Sequence, residues 1–232
     1  MSIQEIKDKI SGAALASGRQ PSEILLLAVS KTVEPSRMEE AMREGVTLFG
    51  ENYVQELLSK YDSLHEKGAR FHFIGHLQTN KVKYIIDKVE MIHSVDSKKL
   101  ADEISKQAKK HGITVDVLIE VNVAGEASKS GIAPEMVPEL AEHIDSLSNV
   151  RLRGLMCIPP FDAEGKRLEG YFKQVNQLFV DMKDKKTDNN DICFLSMGMS
   201  SDFEQAIACG SNMVRVGTAI FGARNYNKTE ES

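Results

Sequence analysis

A single (β/α)8 barrel is the fold this sequence predicts, and three observations predict it. Eight short apolar runs alternate with eight longer amphipathic stretches. No linker composition interrupts the alternation, so the units belong to one sheet. No GxGxxG follows the first run, which favours a closed barrel of the TIM type over an open doubly wound sheet.

The runs span residues 24–30, 47–50, 71–74, 91–94, 115–121, 152–156, 192–196 and 213–217. They are rich in Val, Ile, Leu and Phe, as strands buried on both faces are. A helix over residues 3–16 precedes the first. Residues 36–44 follow Pro35, with Ser36 as the expected cap. Residues 51–61 place Val54, Leu57, Leu58 and Tyr61 on one face, and residues 79–88 do the same with Val82, Ile85 and Ile86. Ser97 caps residues 97–111, in which Leu100, Ile104 and Ala108 recur at helical spacing. Residues 134–147 and 168–183 form two more helices. Residues 201–208 form a short one that stops at Gly210. Residues 1–224 are expected to form one domain. The polar loop 183–191 is expected to be solvated and the tail 225–232 disordered.

Composition excludes several function classes. The chain has 232 residues, 41% apolar and 27% charged, with a net charge of −5. No basic stripe offers itself to nucleic acid and no polybasic face to a membrane. The N-terminus has no apolar stretch of signal-peptide type, and no run reaches the ~20 apolar residues of a membrane span. The location expected is the cytoplasm. Cys157, Cys193 and Cys209 are widely spaced, which argues against a disulfide framework or zinc site. Six histidines include no HxH or HExxH pair, so no metal is expected. No exposed apolar stripe stands out, and a monomer is expected.

Barrel chemistry sits where strands end. Lys31 follows the first strand directly, and partial desolvation there favours a neutral amine, the nucleophile for an aldehyde. A lysine reaching to the rim, or paired with Glu51, is the alternative. The segment 196–202 is glycine-interrupted, carries Ser200 and Ser201, and runs into a helix, which suits an anion. Gly217 and Thr218 open the last loop and can face the same anion. Alternatively, Ser201 only caps its helix and Gly217 only turns the chain. Arg215, inside the last strand, needs an anion or strong acceptor. That partner is either a ligand or a carboxylate such as Glu120. His76 and Asn80 lie in the loop after strand three, where a structural donor role is the commoner use. Met156, Met197 and Met199 lie near the mouth, where they either pack on an aromatic ring face or, as the commoner use of methionine, fill the core.

The strings LLAVSKT, LFGENYVQEL, FHFIGHLQTNK, HSVDS, VLIEVNVAGEASKSGI, RGLMCIPP, LSMGMSSDFEQAI and MVRVGTAIFGAR resemble the pyridoxal phosphate homeostasis protein family. They run in order from about residue 3 to residue 224. The resemblance implies a fold-type-III barrel similar to the alanine racemase N-terminal domain, without its C-terminal β domain. It implies pyridoxal 5′-phosphate (PLP) as cofactor, bound as a Schiff base on Lys31. Ser200, Gly217 and Thr218 then match positions that hold the phosphate, with Ser201 beside them. Arg215 matches the arginine facing the pyridine nitrogen, and Asn52 a loop residue on the ring-hydroxyl side. No departure from the family pattern occurs at these positions.

The function so implied is vitamin B6 homeostasis: PLP is held reversibly, buffered and passed to apoenzymes, without catalysis. Racemases of this type carry a second base on their additional domain, and this sequence shows no counterpart. A general base contributes ~10²–10⁴-fold, so a weak PLP-dependent amino-acid racemase is the alternative. A Schiff-base aldolase acting on a sugar phosphate is a third reading.

Overall fold

The computed structural model describes residues 1–126, 129–184 and 190–222, with only the backbone of Asn190. The expected tail at 225–232 and the centre of the polar loop lie outside them. The eight strands are β1 (Leu25–Val29), β2 (Leu48–Glu51), β3 (Arg70–Phe73), β4 (Met91–Val95), β5 (Val115–Val121), β6 (Val150–Cys157), β7 (Asn190–Ser196) and β8 (Met213–Val216). They are parallel and close in sequence order. β8 completes the ring on β1, with Leu25 opposite Met213 and Leu27 opposite Arg215.

The helices are α1 (Ile3–Ala16), α2 (Pro35–Arg43), α3 (Val54–His65), α4 (Val82–Ile85), α5 (Lys98–His111), α6 (Val137–Asp145), α7 (Gly165–Lys183), α8 (Phe203–Ala208) and α9 (Thr218–Phe221). α1 starts at a capping box. Ser2 Oγ accepts from Glu5 N at 3.1 Å, and the Glu5 carboxylate accepts from Ser2 N at 2.7 Å. Ile6 and Ile10 of α1 are buried against Phe203, Ile207, Val214 and Val216. That packing seals the seam where the ring closes. A buried Ile side chain contributes ~1.5–3 kcal/mol, and Ile6→Ala is expected to cost ~2–5 kcal/mol.

Several boundaries depart from the sequence expectation. Ser36 is not a cap, because α2 starts at Pro35 with Glu34 before it, and proline's missing N–H costs nothing there. Residues 51–53 are not helical. Glu51 ends β2, and α3 begins at Val54. The stretches 79–88 and 134–147 each open as a 3-10 turn before a shorter α-helix. α7 starts at Gly165, three residues early. α8 starts at Phe203, with Asp202 at its cap in place of Ser201.

The main core lies between strands and helices. The barrel interior is filled separately. Met91, Leu118, Met156 and Met213 form one inner cluster, and Leu27, Leu48 and Ile74 another. Side chains alternate along a strand. On β8, Val214 and Val216 therefore pack outward while Met213 and Arg215 turn inward. Met156 and Met197 are fully buried, as core filling requires, whereas Met199 is half-buried. No helix among the described residues is long and apolar enough to cross a membrane.

Candidate functional site

The residues around Lys31 are pinned on both sides. Before it, Ser30 Oγ donates to Glu51 Oε1 at 2.7 Å, and the Ser30 carbonyl accepts from Lys60 Nζ at 2.9 Å. After it, Thr32 N donates to Glu56 Oε2 at 2.7 Å. Lys60 joins these anchors, lying 3.1 Å from Glu51 and 3.0 Å from Glu56. Thr32 adopts φ 61°, a left-handed conformation that costs a β-branched residue about 1–3 kcal/mol. Glu56 holds the N–H of that turn. Lys31 itself is half-buried. The cation paired with Glu51 is Lys60, a residue that sequence reasoning does not single out. Burial pushes the Glu51 carboxyl up, against the opposing pull of Lys60 and Ser30.

The loops after β7 and β8 meet at one atom. Ser200 Oγ accepts from Gly217 N and from Ala219 N, each at 3.3 Å. Two N–H donors, one just before α9 and one in its first turn, thus converge on a single oxygen position, as an oxyanion site requires. Gly217 lies close to β1, where a Cβ would stand 3.2 Å from the Val29 carbonyl oxygen. Of the two segments expected to face an anion, the one entering α9 supplies the N–H groups that converge on this atom. α8 has six residues, and Asp202 at its cap position makes no side-chain bond to the helix; its carboxylate accepts instead from Met199 N in the loop before it. The converging donors stand at the start of α9, Gly217 N just before it and Ala219 N in its first turn. Ser201 and Thr218 are exposed at the rim.

Arg215 is buried, 3% exposed. Its Nη1 donates to the Ser196 carbonyl at 2.7 Å and to Ser196 Oγ at 2.8 Å, and its Nη2 to the Cys157 carbonyl at 2.8 Å. All three acceptors are neutral. Among the described residues no carboxylate forms an ion pair with it, Glu120 included. Glu120 is itself buried and accepts from Ser130 Oγ at 2.7 Å. Burial pushes the guanidinium down from its ordinary value.

Sequence reasoning missed the residues behind Arg215. His93 Nδ1 lies 3.3 Å from Ser196 Oγ, and His93 Nε2 lies 2.9 Å from His72 Nδ1. Burial holds His72 at about 4, and holds His93 well below its ordinary value. Both rings are neutral at pH 7. The available signal was two histidines inside apolar strands.

Asn52 follows β2 at the same mouth. Its Oδ1 is buried without a hydrogen-bond partner, and the adjoining cleft of about 470 Å³ is lined by Tyr53, Phe73, Gly75, His76 and Lys81. His76 stands apart from the Arg215 network, 3.7 Å from Asp96. A cavity of about 400 Å³ at the opposite end, beside Leu25, Leu48 and Arg70, is remote from these groups.

These features fit a phosphorylated pyridine aldehyde. An amine stands at a pinned strand end, and two N–H groups converge beside Ser200. Asn52 offers an unpartnered oxygen. The bonds of Arg215 leave two of its five N–H groups, on Nε and Nη2, for an acceptor.

Comparison with known proteins agrees with the geometry. The profile of the family "Alanine racemase, N-terminal domain" matches residues 14–225. A pyridoxal phosphate homeostasis protein of Aquifex aeolicus (strain VF5) is 45% identical over 224 residues, covering 97% of each chain. An unknown protein from Bifidobacterium adolescentis has a crystal structure that superposes with a TM-score of 0.89. It is 38% identical and covers 94% of this chain and 92% of that one. The structure of PipY from Synechococcus elongatus PCC7942 with PLP bound superposes with a TM-score of 0.79. It is 32% identical and covers 92% of this chain and 100% of PipY. An eight-stranded barrel with Lys31, Ser200, Arg215 and Gly217 at one mouth, and likeness over nearly the whole chain, place this protein in the pyridoxal phosphate homeostasis protein family.

Proposed function

We propose that the protein binds PLP reversibly in the cytoplasm, as a monomer, and buffers its free concentration without catalysing turnover. The observation that carries this reading is Arg215: a buried cation with only neutral acceptors, at the mouth that also holds Lys31 and the Ser200 N–H cluster.

Each residue has a distinct task. Lys31 Nζ attacks the aldehyde carbon, and the carbonyl oxygen leaves as water, so that the cofactor is tethered as a Schiff base. Gly217 N, Ala219 N and the Ser200 hydroxyl take the phosphate, with the Ser201 and Thr218 hydroxyls at its rim. Asn52 Oδ1 accepts on the ring-hydroxyl side. Arg215 donates to the ring nitrogen and disfavours a proton there, since two positive charges would meet. When bound, PLP supplies an electron sink, and an unprotonated ring is a poor one. Storage and release to apoenzymes, rather than turnover, suit that arrangement.

The test is the visible spectrum of PLP-loaded protein before and after borohydride, with the labelled peptide mapped. A band that borohydride bleaches and a label on Lys31 are expected. No band, or a label elsewhere, would overturn the reading. Delivery is tested separately, by reactivating a PLP-free enzyme with loaded protein against matched free PLP. A weak amino-acid racemase is the second reading, favoured by the matched racemase-domain profile. Deuterium exchange at the α-carbon of amino acids, well above that with free PLP, would establish it.

A further inference from the structure

A chain of hydrogen bonds crosses the barrel interior and serves neither the tether nor the phosphate loops. It runs from Arg215 on β8 to Ser196 on β7, then to His93 on β4 and His72 on β3, at 2.8, 3.3 and 2.9 Å. Its direction follows from one residue. A guanidinium only donates. Ser196 Oγ therefore accepts from Arg215, and among the described residues His93 Nδ1 is the acceptor in reach of its own proton. In a neutral ring that places the His93 proton on Nε2, which donates to His72 Nδ1. The His72 proton then sits on Nε2, 4.0 Å from a carboxylate oxygen of Glu90.

Burial enforces the neutral state on which this direction depends. His93 is fully buried and His72 is 4% exposed. The titratable and charged groups facing the chain come from several elements. Arg215 is influenced by Cys157 of β6, Glu120 of β5 and Asp202 before α8. His93 is influenced by His72 and Arg215, and His72 by Glu90 and Arg70.

We propose that Ser196 and His93 are positioning residues that hold Arg215 as a fixed donor toward the cofactor's ring nitrogen and thereby keep that nitrogen unprotonated. This rests on the PLP reading given above. Ser196 occupies Arg215 twice, through its carbonyl and its hydroxyl, and His93 orients the hydroxyl. Without that hold the guanidinium gains freedom, and the ring nitrogen becomes open to protonation by solvent.

Two experiments test the proposal. Nitrogen-15 spectra of histidine-labelled, ligand-free protein are expected to show both buried rings neutral and protonated at Nε2. A proton on Nδ1 of His93 would overturn the chain. In loaded protein, Ser196→Ala and His93→Phe are expected to lower PLP affinity ~10-fold, about the effect of one lost hydrogen bond. They should also make the absorption of the bound cofactor change with pH, where the wild-type band stays fixed. Ser196→Thr, which retains the hydroxyl, should restore wild-type behaviour, and melting curves of the free proteins report folding separately. Variants that keep both the affinity and a pH-independent band would sink the positioning role. A wild-type protein with no PLP band would instead sink the cofactor reading, leaving the ring-nitrogen spectra to judge the chain.

Discussion

Lys60 Nζ lies 2.9 Å from the carbonyl oxygen of Ser30, so a buried cation on α3 holds the strand end that presents Lys31. The same ammonium pairs with Glu51, whose side chain is fully buried. Removing one partner of such a pair leaves an uncompensated charge, which typically costs ~3–5 kcal/mol. Lys60→Met is therefore expected to lose about that much stability in denaturant unfolding, and to slow trapping of PLP on Lys31 by borohydride. A loss below ~1 kcal/mol would place Lys60 among weakly coupled surface pairs.

His72 predicts acid sensitivity. Its folded pKa is about 4, against 6.5 in the unfolded chain, with burial as the main cause. The unfolded state takes up the proton first as pH falls. The contribution is full above about pH 6.5 and drains between there and 4. The difference amounts to roughly 3 kcal/mol for this ring. His93 acts in the same direction. Glu51 opposes it: its folded pKa is raised, so its contribution is present below 4.5 and lost as pH rises through the folded value. Unfolding of wild type and His72→Gln at pH 7.5 and pH 5 separates the terms. The variant should lose less on acidification, and an equal loss would mean that His72 titrates normally in the fold.

Gly75 has room for no side chain. A Cβ there would stand 2.1 Å from the Asn52 carbonyl oxygen. Backbone cannot yield as a flexible side chain does, so Gly75→Ala must displace Asn52 from the mouth. PLP affinity is expected to fall ~10-fold, the worth of about one hydrogen bond. Gly170→Ala is the matched control. Gly170 lies in α7, where an added methyl would meet nothing within 4 Å, and alanine there should add ~0.5–1 kcal/mol of stability without touching affinity. Equal affinities in both variants would remove Asn52 from the site.

The strands were legible because burial on both faces leaves short runs that are mostly apolar, broken in β5 by Asp116 and Glu120 and in β8 by Arg215. Helix starts were less so. Ser36 and Ser201 have capping chemistry, but Pro35 and Asp202 occupy the decisive positions. Lys31 and Arg215 stood out because a charged residue at a buried strand end is conspicuous. Ser196, His72 and His93 did not. Their partnerships join residues 21 and 103 positions apart, and only ring closure brings those together. Lys60 left a faint trace, three residues after Leu57 and four before Leu64. That is the buried face of α3, where a lysine is out of place.

The phosphate loops carry the last prediction. Gly217 N and Ala219 N both donate to Ser200 Oγ across 3.3 Å, long bonds that leave those donors free to shorten onto a stronger acceptor. A dianionic phosphate is such an acceptor, and the Ser200 hydroxyl can turn to donate toward it. Ser200→Ala removes the hydroxyl while keeping both N–H groups. Affinity for PLP should fall ~10-fold, within the range for a hydrogen bond to a charged group. Affinity for pyridoxal, which has the same aldehyde and ring but no phosphate, should be unchanged. Titration of both ligands into both proteins, read by the visible band, decides the matter. An equal loss for the two ligands would move Ser200 from holding the phosphate to shaping the barrel mouth as a whole.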